Sequence, residues 1–136
     1  MAVVCNFLAK MDEPRAHNND KIAREWIKKY GINPHKNDKI IFIQCPGYTD
    51  VTNAFIIKTS PNRLDYILEQ LLVTYDLRPV QRSTGRDCLE KTGVWKIDQS
   101  KIDETYSKYS ESGGGMWHDV WVDRDNSIIY FEYATI

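Results

Sequence analysis

The segment Gly113-Gly114-Gly115-Met116-Trp117-His118-Asp119-Val120-Trp121-Val122 constrains this chain more than any other. Three glycines run into a strand-like stretch carrying two tryptophans. Side chains alternate along a strand, so Trp117, Asp119 and Trp121 share one face, and His118, Val120 and Val122 share the other. After a polar turn at residues 123–127, the run Ile128-Ile129-Tyr130-Phe131-Glu132-Tyr133 repeats the pattern. The two runs predict a β-hairpin with aromatic residues on both arms. Both of its faces are largely apolar, whereas a hairpin with one wet face alternates apolar with polar.

Large aromatic residues most often enter the core, which would set Trp117 and Trp121 against helices. One apolar face is then left over, and paired aromatics are what interface centres use. Trp117, His118, Val120, Trp121 and Tyr130 are therefore candidate binding residues, for a protein partner or for self-association.

The rest of the chain supplies helices for a sheet to pack on. Asn19 or Asp20 can cap a helix whose apolar side is Ile22, Ala23, Trp26, Ile27 and Tyr30, with Gly31 as its stop. Ser60-Pro61 opens a second helix with a stripe of Leu64, Ile67, Leu68, Leu71, Leu72 and Tyr75. Strands are expected at residues 2–9, 39–45 and 51–58, the last two as a hairpin. Residues 11–18 look like a polar connection. A short strand is expected at 93–97 and a helix at 100–109, with Ile102, Tyr106 and Tyr109 on one side. The fold class is α+β: one domain spanning residues 1–136, a mostly antiparallel sheet, two or three helices packed on one face and a C-terminal β-hairpin. Its expected core is Val4, Phe7, Ile22, Trp26, Ile27, Ile41, Ile43, Leu64, Ile67, Leu68, Leu71 and Phe131.

A formal net charge of -1 argues against a dedicated nucleic-acid binder and equally against a DNA mimic, although local patches stay open. Cys5, Cys45 and Cys88 are odd in number and widely spaced. That is neither a disulfide framework nor a metal site, so three reduced, non-catalytic thiols and a cytoplasmic setting are expected. No apolar run approaches the roughly 20 residues that span a bilayer, and the N-terminus lacks the basic start of a signal peptide.

Chemistry-bearing motifs are sparse. Arg82-Ser83-Thr84-Gly85-Arg86 offers two guanidinium forks and two hydroxyls, so Arg82 and Arg86 are candidates for holding an anionic small ligand or nucleotide. A solvated loop is the plainer interpretation. The triple glycine follows a helix and opens a strand, the wrong context for a phosphate cradle. Cys88 with His118 is a thinkable nucleophile pair, but nothing brings them together. His17, His35 and His118 lack ligand spacing, and the acidic run at 123–126 lacks the glycine and distal glutamate of a calcium loop. No catalytic residue, metal ligand or cofactor is assigned, and an enzyme is the less favoured class. The profile is similar in type to small immunity and phage anti-defence proteins, which neutralise or regulate a macromolecule by occlusion. The alternatives are an oligomeric small-molecule or nucleotide binder using Arg82 and Arg86, and an enzyme of unrecognised type.

Overall fold

A computed structural model describes residues 15–46, 51–81, 98–110 and 116–135. Within them lie strand β1 (Arg15–Asn18), helix α1 (Lys21–Lys29), β2 (Lys39–Pro46), β3 (Val51–Lys58), helix α2 (Pro61–Tyr75), β4 (Arg78–Pro79), a 3-10 turn (Gln99–Lys101), β5 (Glu104–Ser110), β6 (Met116–Asp123) and β7 (Ile128–Thr135). The strands form one antiparallel sheet in the order β1-β2-β3-β7-β6-β5-β4. The fold is α+β, and both helices pack on one face of the sheet. No helix among the described residues is long and apolar enough to cross a membrane.

Local chemistry sets the helix ends. Asp20 caps α1 by accepting from the Ala23 N–H at 2.8 Å, and Gly31, at φ +92°, takes the left-handed conformation that ends it. Ser60 caps α2, Pro61 fills its first turn, and Asp76 closes it at φ 52°. The buried stripe Leu64, Ile67, Leu68 and Leu71 lies against Phe55, Ile57, Val120, Val122, Ile129 and Phe131. Stacked and edge-on rings knit this layer: Trp26 on Phe42 at 5.0 Å, Phe42 on Phe55 at 5.0 Å, and Tyr30 against Phe131 at 5.5 Å.

The sheet is buried on its other face too. Ile43, Ala54, Ile56 and Trp121 form a second apolar cluster, joined by Ile41, Ile102, Ile128 and Tyr130. Two short strands, one of them carrying Pro79, occupy the outer positions, where proline costs no ladder hydrogen bond.

Several expectations are corrected. Residues 100–109 do not form the expected helix: only the 3-10 turn Gln99–Lys101 is helical, and Glu104–Ser110 is strand β5, paired with β6 along its whole length. Thr105, Tyr106 and Tyr109 favour a pleated surface, and the long pairing with β6 overrides a helical spacing carried by only three apolar residues. Arg15–Asn18 is not mere connection but an edge strand on β2. Ile22 is 45% exposed and leaves the core list, because the helix turns Ala23 and Ile27 to the sheet instead. The expected strands at 2–9 and 93–97, with Val4 and Phe7, lie outside the described residues.

Cys45 is disulfide-bonded, which corrects the expectation of three free thiols. Cys5 and Cys88 lie outside the described residues.

Candidate functional site

The aromatic hairpin is the interior of the sheet rather than its rim. β6 lies between β5 and β7, and β7 between β6 and β3, so hydrogen-bonded neighbours flank both arms. His118, Val120 and Val122 face the helices; Trp117, Asp119 and Trp121 face away from them. The expectation of tryptophans against the helices is thus reversed. The expectation of one exposed hairpin face is corrected as well, since Val120 and Trp121 are both buried, on opposite sides. Tyr130 is half-buried beside Trp121, its cross-strand partner. Burial pushes the Tyr130 hydroxyl pKa up, with Asp123 and Asp98 adding to it.

Trp117 behaves differently. It sits near the beginning of β6, opposite Tyr109 of β5, with ring centroids 4.3 Å apart. Tyr109 is 44% exposed and Trp117 half-buried, so among the described ring pairs of the sheet this one carries the most exposed aromatic residue. Sequence reasoning missed Tyr109 because it placed the residue on a helix. The Thr105-Tyr106-Ser107-Lys108-Tyr109 run held the signal, as alternate side chains of a strand. The other exposed large apolar residues, Ile22, Tyr66 and Val73, are on helices, and scattered single apolar residues are ordinary surface.

One residue row further from the Tyr109–Trp117 end, the same face carries Asp119 opposite Glu132, both buried. Directly opposed like charges repel, so such a rung is held by what surrounds it; neither carboxylate is without a partner.

On the helix face, His118 sits in an aromatic box. It stacks on Tyr75 at 4.5 Å and meets Tyr133 at 4.8 Å, with Phe131 behind. Tyr75 donates to the Tyr30 carbonyl at 2.9 Å, and Asn53 Nδ2 donates to the Tyr30 hydroxyl at 2.7 Å. His118 is 7% exposed, and its Nδ1 has no hydrogen-bond partner among the described residues. Burial pushes the imidazole pKa down to about 4. Burial, then the neighbouring Tyr30 and Tyr133, pushes the Tyr75 hydroxyl up to about 12. At neutral pH both groups are uncharged, so the box holds a neutral imidazole rather than a cation.

The remaining polar side chains that could do chemistry are committed to structure. Asp38 is buried. Burial raises its pKa, but hydrogen bonds from Thr59, Arg63 and the His35 N–H outweigh this and hold the carboxyl below its usual range. Arg124 bonds Glu104 with two nitrogens, at 2.9 and 3.0 Å, and Asp65 at 2.9 Å; these contacts raise its pKa further. The acidic run at 123–126 is a turn closed by Asp123, which accepts from the Asn126 N–H and Nδ2. No group of three or more potential metal ligands occurs among the described residues. Arg82, Arg86 and Cys88 lie outside those residues, so the anion loop and the Cys88–His118 pair fall there too.

No family model, curated protein or solved structure matches this chain.

Proposed function

We propose that this chain is a small binding protein that neutralises or regulates another macromolecule by occlusion, and that contact is made through the Tyr109–Trp117 end of the sheet. The tilted ring pair at 4.3 Å, with Tyr109 44% exposed, carries this reading. Tyrosine and tryptophan supply large, rigid contact area and dominate interface centres. The pair is braced by β7 behind it, where Ala134 lies opposite Trp117. It is thus a preorganised anchor, losing little rotamer freedom on binding. Val120, Trp121 and Tyr130 support the sheet beneath it and do not touch the partner. The test is native mass spectrometry of the protein isolated from its own cells, wild type against Tyr109→Glu. A stoichiometric macromolecular partner, lost from a folded Tyr109→Glu chain, is expected. No partner, or one retained in full by the variant, contradicts the proposal.

The expectation of a cytoplasmic setting rests on free thiols, and the Cys45 disulfide removes that support, because glutathione keeps cytosolic thiols reduced.

A further inference from the structure

The net charge of -1 hides a separation of charge along the fold. Among described residues from 15 to 58 there are eight lysines and arginines against three carboxylates; among those from 59 to 135 there are five against ten. The three carboxylates of the basic part do little to screen it. Asp38 is buried and bound by Arg63, Asp20 accepts from His17, and Glu25 pairs with Lys21 at 3.8 Å.

The cations converge on one end of the sheet. Lys39 of β2 and Lys58 of β3 are directly opposed in register, both exposed, and neither makes an ion pair among the described residues. Like charges opposed across a ladder are destabilising, so this rung costs stability that no described contact returns. The Asn19 N–H donates to the Ile40 carbonyl at 2.7 Å, bringing the start of α1 with Lys21 beside it. The Asp38 N–H donates to the His35 carbonyl at 3.0 Å, closing a turn that carries Lys36 just before Lys39.

We infer that Lys21, Lys36, Lys39 and Lys58 form a contact surface for the phosphate backbone of a nucleic-acid duplex. The acidic turn at 123–126 borders Lys58, since the Thr59 N–H donates to the Ser127 carbonyl at 3.1 Å. The basic surface is therefore the β1-β2-β3 side of this end, and its exposed lysines fit a polyphosphate, whose affinity comes from neutralised charge. The aromatic ring at this end, Trp26, is already stacked on Phe42 and has Lys29 Nζ 4.1 Å over it. Tyr66 of α2 is 49% exposed but has the Arg63 guanidinium 5.5 Å over its ring. Both described rings near this end thus already carry a cation, so a duplex read through its phosphates fits better than a single strand. The surface is three strands away from the Tyr109–Trp117 pair and at the opposite end of the strands. It goes beyond the occlusion reading and stands or falls separately from it.

The test is fluorescence anisotropy of a labelled duplex of arbitrary sequence, titrated with the full chain between about 50 and 200 mM salt. Four phosphate contacts give a slope of log affinity on log salt near about -3.6, a weakening on the order of 100-fold over that range. Lys39→Glu should leave circular dichroism unchanged and keep or raise the melting temperature, because a carboxylate at this position would face Lys58 as an ion pair. The same variant should weaken duplex binding by about tenfold or more at low salt and roughly halve the slope, as two of the four contacts are removed. Lys36→Glu, in a turn outside the sheet, should weaken binding in the same direction. Absence of binding at low salt would overturn the inference. So would unchanged affinity in both variants, or equal or tighter binding to anionic lipid vesicles or to polyglutamate.

Discussion

Lowering the pH from 7 to 5 should cost this fold about 2 kcal/mol through His118 alone. The folded protein holds that imidazole at a pKa of about 4, against 6.5 for an ordinary histidine. The cause is burial, among Tyr75, Tyr133 and Phe131; Nδ1 has no hydrogen-bond partner among the described residues. Because the folded pKa is the lower one, the unfolded chain binds the proton first. Stability is therefore lost as pH falls through 6.5, and the loss is complete near 4. At pH 5 the unfolded state gains about a 30-fold statistical advantage from protonation, while the folded state gains almost none. Among the described residues the charged groups near the box offer no rescue: Lys108, the cross-strand neighbour of His118, repels a second cation, and Asp76 is paired to Lys108 at 3.3 Å. The Asp38 carboxyl titrates below its usual range and so contributes outside this window. Urea unfolding at pH 7 and pH 5 should show the loss in the wild type and its absence in His118→Phe, which keeps the stacking and removes the titrating nitrogen. Equal pH dependence in the two proteins would refute the buried, neutral imidazole.

Leu68→Ala, in the α2 stripe at 5% exposure, should lower stability by about 2–5 kcal/mol, seen as a fall in the thermal midpoint; an unchanged midpoint contradicts helix-on-sheet packing. Asp38→Ala leaves Arg63 without its partly buried partner and should cost about 3 kcal/mol in urea unfolding, with no loss if the contact is incidental.

Much of the fold was legible because local chemistry and periodicity agreed. Asp20, Gly31, Ser60 and Pro61 each mark a helix end that the structure keeps, and the Leu64-to-Leu71 stripe faces the sheet as its spacing requires. The hairpin strands β6 and β7 were legible as strands, but their place in the sheet was not. Alternation says which residues share a face; it does not say that β3 and β5 will flank the pair, and that neighbour relation is what buries both faces. β5 was misjudged because Ile102, Tyr106 and Tyr109 fit a helix as well as a strand until β6 is there to pair with. The site moved with it. Trp117 was legible as a candidate but for a whole hairpin face, whereas the solvent-facing partner, Tyr109, was hidden in the misjudged segment. The opposed lysines of β2 and β3 follow from register, which no single strand reveals.

The most direct test of the account compares Val120→Glu with Tyr109→Glu by thermal unfolding and by partner binding. Val120 is fully buried between the sheet and α2, so a carboxylate there should abolish cooperative unfolding. Tyr109→Glu should melt cooperatively, near the wild-type temperature, and lose the macromolecular partner. A folded Val120→Glu chain that loses the partner, beside a Tyr109→Glu chain that keeps it, would return the contact to the hairpin's own face and contradict the placement argued from this fold.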